Sequence, residues 1–226
     1  MIYQNEACIV INKLPGESSE HIKLDNEGDL FPVHRLDVPV SGCLLLAKTP
    51  EAAAFLGSAF ASHDSRVEKK YWAIVEKPEM EKALPFDSEL VHWLGLNSKT
   101  NKAYALAPDA ISRTSPASKH KALKKALLRY KAIGQGDHYL FLEIDLITGR
   151  HHQIRAQLKA MGFHIKGDLK YGARRSEKSG GIRLHAYSLA FPNPLNPGET
   201  IRVKAWPPVM DSLWTAFVEA AEQNIF

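Results

Sequence analysis

Tyr139-Leu140-Phe141-Leu142-Glu143-Ile144-Asp145-Leu146-Ile147 runs directly into Thr148-Gly149-Arg150-His151-His152-Gln153-Ile154-Arg155, and the hydrophobic period changes at the junction. From Tyr139 to Ile147, Leu140, Leu142, Ile144 and Leu146 occupy alternate positions, which makes this a core strand with one aliphatic face. From Gly149 to Met161 the spacing becomes helical. Ile154, Leu158 and Met161 form its buried stripe, and Gly162 is a natural C-terminal stop. Further strands are expected at Cys8–Ile11, Gly42–Ala47, Lys70–Val75, Leu184–Phe191 and Thr200–Trp206. Helices are expected at Glu51–Ala61, where Pro50 suits the first turn, and between Pro208 and Gln223. Strands outnumber helices and do not alternate with them. That pattern predicts an α+β domain with a mixed, largely antiparallel β-sheet and flanking helices, not a doubly wound parallel sheet.

The 226 residues can bury one sizeable core, and the chain reads as a single domain over 1–226. No window is long and apolar enough for a membrane span, and Met1-Ile2-Tyr3-Gln4-Asn5 lacks a signal-peptide layout, so a soluble, cytoplasmic protein is expected. Cys8 and Cys43 lie in apolar stretches and read as buried, reduced thiols. Charge is unevenly spread. Residues 1–97 carry nine basic and fifteen acidic side chains, residues 98–131 carry nine and one, and residues 150–183 carry nine and two. Two basic tracts on an otherwise acidic chain point to a polyanion-binding face. Residues 98–126 show no firm periodicity and read as a long basic insertion in which Lys119, Lys121, Lys124 and Lys125 are candidate phosphate contacts. Ser176–Gly181 reads as a second mobile loop. Gly134-Gln135-Gly136 reads as a hairpin turn, since no helix follows to make it a phosphate loop.

His34-Arg35-Leu36-Asp37, closed by Ser41-Gly42, places a carboxylate on a tight loop before an apolar strand. Alone, such an Asp is more often a turn former. A second block, Thr148-Gly149-Arg150-His151-His152-Gln153-Ile154-Arg155, follows more than a hundred residues later, with Gly162, Gly167-Asp168 and Tyr171-Gly172 behind it. Lys69-Lys70-Tyr71-Trp72-Ala73-Ile74-Val75 and Leu184-His185-Ala186 complete the set. In this order the motifs resemble those of the RluA family of pseudouridine synthases, approximately HRLD-x-x-T-S-G, K-x-Y-x-A-x-V, T-G-R-T-H-Q-I-R and L-H-A. The chain departs from that pattern at Val40, His151 and Gln157, and in Lys13-Leu14-Pro15-Gly16, an expanded form of K-P-x-G.

The resemblance implies an enzyme that isomerises uridine to pseudouridine in structured ribosomal or transfer RNA. It implies that Asp37 acts at the ribose, as nucleophile or as base, that Arg155 pairs with Asp37, and that Tyr71 stacks on the target base. Leu184 would form the apolar floor of the pocket, and Arg35 would fill the gap left by a flipped nucleotide. A carboxylate buried among apolar groups tends toward its neutral form, and a guanidinium beside it restores the charge with a two-pronged donor that Lys cannot imitate. An isomerisation needs no cofactor. No metal is expected either: His151 and His152 should point to different sides of a helix, and no Cys-x-x-Cys or His-Glu-x-x-His accompanies them. The motifs begin near residue 1, so no N-terminal RNA-binding appendage is expected. RNA is the expected partner, with no membrane, and the chain is expected to be a monomer. The rival is a catalytically silent RNA-binding or ribosome-assembly protein of the same fold. Against it stands the joint presence of Asp37, Tyr71 and Arg155, for which a pure binder has no use.

Overall fold

The structure is a computed structural model, and it describes residues 1–25, 28–62, 64–77, 87–110, 123–178 and 180–223. Among these residues twelve strands join in one sheet: β1 (Tyr3–Gln4), β2 (Cys8–Lys13), β3 (Phe31–Pro32), β4 (Ser41–Ala47), β5 (Glu68–Glu76), β6 (Asp87–Asn97), β7 (Lys102–Leu106), β8 (Lys124–Gln135), β9 (Tyr139–Leu146), β10 (His164–Ile165), β11 (Leu184–Pro192) and β12 (Thr200–Lys204). The main order is β1-β2-β4-β11-β5-β9-β8-β6-β7, with β3 on β4, β10 on β5 and β12 on β11. β4 and β11 pair in parallel, and the other described pairs are antiparallel. Among the described residues the helices of eight residues or more are α1 (Pro50–Ala61), α2 (Gln153–Ala160) and α3 (Ser212–Gln223). This is the mixed, largely antiparallel α+β architecture that the periodicity predicts.

Alternation along the strands divides the core between the two faces. Ile9, Ile11, Leu44, Leu46, Leu142, Ile144 and Leu146 join Ile154 and Leu158 of α2 on one face. Cys8, Val10, Cys43 and Leu45 face the other way, under Leu56 of α1, and Trp72, Ile74 and Phe141 lie under Trp214 and Phe217 of α3. All seven residues of β4 are therefore buried, which is why its sequence from Gly42 to Ala47 carries no polar side chain. Thr49 caps α1 by accepting from the Ala52 amide at 3.2 Å, an interaction worth about 1 kcal/mol. Both cysteines are free and buried.

Several boundaries move. Residues 149–152 form a turn and α2 begins only at Gln153, because His152 takes a left-handed conformation (φ 50°) that a helix interior cannot hold. The stretch 98–126 is not wholly irregular. β7 pairs with β6 across a turn in which the Asn97 side chain accepts from the Lys99 and Thr100 amides, and Asn101 has φ 48°. Only Ala103 in β7 is buried, and Lys102-Ala103-Tyr104-Ala105-Leu106 shows no alternation of apolar with polar residues to mark it as a strand. Lys124 and Lys125 are exposed at the start of β8, whereas Lys119 and Lys121 lie outside the described residues. The hairpin between β8 and β9 turns at 136–138, two residues later than expected. Gly134 belongs to β8 at a register shift, where a Cβ would strike Ala220 of α3. The loop holding Glu177 is tied down instead of mobile at that point, since this buried carboxylate accepts from Lys166 Nζ at 2.5 Å and Arg183 Nε at 2.8 Å.

His185, the central residue of Leu-His-Ala, is fully buried in β11. Its Nε2 faces the Ala205 carbonyl at 2.9 Å and must donate, so Nδ1 accepts from the Ser41 hydroxyl at 2.8 Å. Burial lowers its pKa from 6.5 to about 4, and burial likewise takes His34 down to about 3. Between those values and 6.5 the unfolded chain binds protons that the folded chain does not, so stability falls as pH falls through this window. Each histidine contributes a slope of about 1.4 kcal/mol per pH unit. Thermal melts from pH 7 to pH 4.5 should show this decline, and His185→Gln should remove one proton from the slope.

Candidate active site

The Asp37 loop is moored on several sides. His34 Nε2 accepts from the Leu45 amide of β4 at 3.1 Å and its ring stacks on Phe60. Ser19 Oγ accepts from the Leu36 amide and donates to the Leu36 carbonyl, both at 3.0 Å. Lys13 is completely buried, with Nζ donating to the carbonyls of Leu14, Glu17 and Val38 at 2.8, 3.0 and 3.3 Å. Burial lowers its pKa to about 8, against the opposing pull of Glu17 and Asp37. Behind the loop, Gly42 has φ 118° and a Cβ there would overlap the Ala186 backbone, so only glycine lets β4 lie this close to β11.

Arg155 arrives from α2 and serves two carboxylates at once. Its Nη1 donates to Asp37 Oδ2 at 3.0 Å, while Nε and Nη2 donate to the two oxygens of Asp168 at 2.7 Å each. Arg155 and Asp168 are buried, and the Asp37 side chain keeps 16% of its surface. The planar fork is therefore fixed by Asp168 and directs its remaining nitrogen at Asp37. Tyr171 braces the same group. Its ring lies 4.7 Å from the Arg155 guanidinium, and its hydroxyl accepts from the Ala103 amide at 2.8 Å and meets His152 Nδ1 at 2.9 Å. Burial raises the Tyr171 pKa to about 12. Spacing along the chain marks no role for Asp168, Tyr171 or Lys13, although each lies within one of the motif blocks.

Asp37 lies in a cleft that Tyr71, Leu184, Arg35, Arg150 and Arg155 also line. Tyr71 is a buried neutral phenol whose pKa is pushed up by burial and then by the charge of Asp37. Leu184 pairs in register with Ala73, two positions along β5 from Tyr71, and is buried. Arg35 is an exposed rim residue, 3.5 Å from Glu20. The structure thus brings Asp37, Tyr71, Arg155, Leu184 and Arg35 together. Lys124 and Lys125 are not among the cleft's lining residues.

His151 and His152 do not point to different sides of a helix. They precede α2, and their rings stack at 3.8 Å with 22° between planes, close enough that ring nitrogens of both and an Asp37 oxygen fall within 4.8 Å of one another. His152 Nε2 is 3.6 Å from Asp37 Oδ2, and burial lowers the His152 pKa to about 4 despite that carboxylate. Arg155 on Asp37, with Arg35 and Arg150 along the cleft, makes the surroundings of this trio cationic.

Residues 8–160 match the family model described as RNA pseudouridylate synthase. The chain is 26% identical over 249 residues to "tRNA pseudouridine synthase C" of Vibrio parahaemolyticus, covering 96% of this chain and 94% of that protein. It is 30% identical over 212 residues to "Ribosomal large subunit pseudouridine synthase D" of Borreliella burgdorferi, covering 84% of this chain and 60% of that one. In fold it is similar to the solved structure of Human RNA Pseudouridylate Synthase Domain Containing 1, with a TM-score of 0.70 at 21% identity, covering 97% of this chain and 93% of that one. A match over more than half of its length, through the loop that holds Asp37 and the helix that holds Arg155, shows that the chain belongs to the RNA pseudouridylate synthase family and is an RNA-modifying enzyme of that class.

Proposed function

We propose that this chain converts specific uridines in transfer or ribosomal RNA to pseudouridine, with Asp37, Tyr71 and Arg155 as the residues that carry the reaction. The observation that carries this reading is the ion pair of Asp37 with a buried Arg155, at a cleft walled by Tyr71 and Leu184. Isomerisation breaks the N1–C1′ bond, turns the freed base and rejoins it through C5; the C5 proton leaves and N1 ends protonated, so the atoms balance without a co-reactant. Asp37 supplies an anion at the ribose, as nucleophile at C1′ or as base toward a sugar proton. Arg155 aims that carboxylate through its Nη1 donor. Tyr71 and Leu184 present the flat apolar walls that hold a flipped base, for which the lost stacking of extrusion is partly regained. The names of the relatives support transfer RNA and ribosomal RNA as the substrate classes. Mapping pseudouridines across both RNA pools with and without the gene tests the proposal: at least one site should vanish, and an unchanged map would sink it.

Tyr71→Phe separates stacking from proton chemistry. It keeps the ring and removes the hydroxyl, so RNA affinity should hold. If the hydroxyl takes part in the departure of the C5 proton, turnover should fall by about 10²-fold or more. An unchanged single-turnover rate would restrict Tyr71 to the stack, in keeping with its raised pKa.

A further inference from the structure

Among the described residues no helix covers the outer side of the sheet at β6, β7 and β8, and the composition there is unusual. Alternation in β6, β7 and β8 turns Leu90, Leu94, Ala103, Ala126 and Leu128 inward. The intervening residues form the opposite face. There the register sets Lys125 beside Trp93, Gly95 beside Tyr104 and Asn97 beside Lys102. α3 covers this side of the sheet over Trp72, Ile74, Ile133 and Phe141, not over these rows. Tyr104 is 46% exposed, Trp93 and Lys102 are half-buried and Lys125 is exposed. The Tyr104 ring is held in place, since it lies across Gly95 so closely that a Cβ there would strike its hydroxyl end. A glycine facing an aromatic ring across a strand pair buries one side of that ring and presents the other. Among the described residues no carboxylate pairs with Lys102 or Lys125, and residues 98–131 contain a single acidic residue, Asp109.

We infer that this face binds a single-stranded segment of the RNA outside the catalytic cleft, with Tyr104 as a stacking platform for a base and Lys102 and Lys125 as phosphate contacts. Stacking on a flat ring tolerates any base, and lysines spaced along adjacent strands track a backbone, which is the pairing of groups that single-stranded RNA requires. The face also adjoins the cleft. Arg150 Nε reaches the Lys125 carbonyl at 3.4 Å, and the Tyr171 hydroxyl that meets His152 holds β7 by the Ala103 amide. A strand leaving the cleft therefore has a short path over the sheet edge at β7. The inference rests on the reading of the chain as an RNA enzyme but extends it to a surface distinct from Asp37.

The test uses the full chain, a fluorescein-labelled single-stranded RNA 12-mer and a salt series. Tyr104→Ala should weaken binding roughly five- to hundredfold with the salt slope unchanged, the range expected for one stacked base. Tyr104→Phe should restore binding. Lys102→Ala with Lys125→Ala should instead flatten the slope of log affinity on log salt by about 1.4, or roughly 0.7 for each phosphate released. Failure of the wild-type chain to bind the 12-mer, or equal affinity and slope in all variants, would overturn the inference while leaving the pseudouridine map untouched. A single-turnover rate on saturating RNA that collapses in Tyr104→Ala without loss of affinity would also overturn it, by assigning Tyr104 to the support of the active site.

Discussion

Asp37→Asn is expected to fold, to bind RNA and to form no pseudouridine. The structure explains why folding should survive. Arg155 keeps both contacts to Asp168 when Asp37 loses its charge, so no buried cation is stranded, and the cost should stay near that of one weakened hydrogen bond, about 1 kcal/mol. The amide retains the size and the loop geometry set by Ser19, Lys13 and His34. What disappears is the only anion in the cleft among its described lining residues. Turnover should fall by about 10³-fold or more, which corresponds to over 4 kcal/mol of transition-state stabilisation. Release of tritium from C5-labelled uridine in RNA measures it directly, and normal release by this variant would remove Asp37 from the chemistry.

Arg155→Lys should lower turnover by about 10²-fold, the scale on which a misplacement of roughly 1 Å acts. RNA affinity should barely change. An ammonium is a point charge and cannot span Asp37 and Asp168 in one plane. Either Asp168 loses its bidentate partner in a buried site or Asp37 loses its orientation. Stability should drop as well, up to the roughly 3–5 kcal/mol typical of a broken buried pair, with the retained charge offsetting part of it. Asp168→Asn is the informative companion. It leaves Asp37 and Arg155 in place but loosens the fork, so its turnover should fall at constant affinity. Parallel losses of turnover and affinity in Arg155→Lys would make this residue a phosphate contact, which its burial already argues against.

Most of the architecture was legible because it depends on local periodicity. β9 and α2 could be read from the change of period at residue 148, and β4 from an unbroken apolar run that only a strand buried on both faces needs. β7 was not legible. Its stability comes from backbone pairing with β6 and from the Tyr171 hydroxyl on Ala103, neither of which leaves an apolar signature. The Asn97-to-Asn101 turn, rich in residues that favour tight turns, was the available clue. The two histidines depart from the expected arrangement because the helix does not start at Gly149: the left-handed residue His152 delays it, and the two rings stack.

The sequence by itself determined the strand and helix pattern, the α+β class and the motifs that carry the family resemblance, and through that resemblance it named Asp37, Tyr71, Leu184 and Arg155 as candidates. The pattern of elements resides in spacing along the chain, and burial imposes spacing locally. Only the tertiary structure decided that Arg155 is shared between Asp37 and Asp168, that Tyr171 links this ion pair to β7, and that the outer face of β6, β7 and β8 presents Tyr104 between lysines. The Asp37–Arg155 contact joins residues 118 positions apart. A contact of that kind is set by the register of intervening strands and by the angle at which a helix leaves the sheet, and no periodicity near either residue records them.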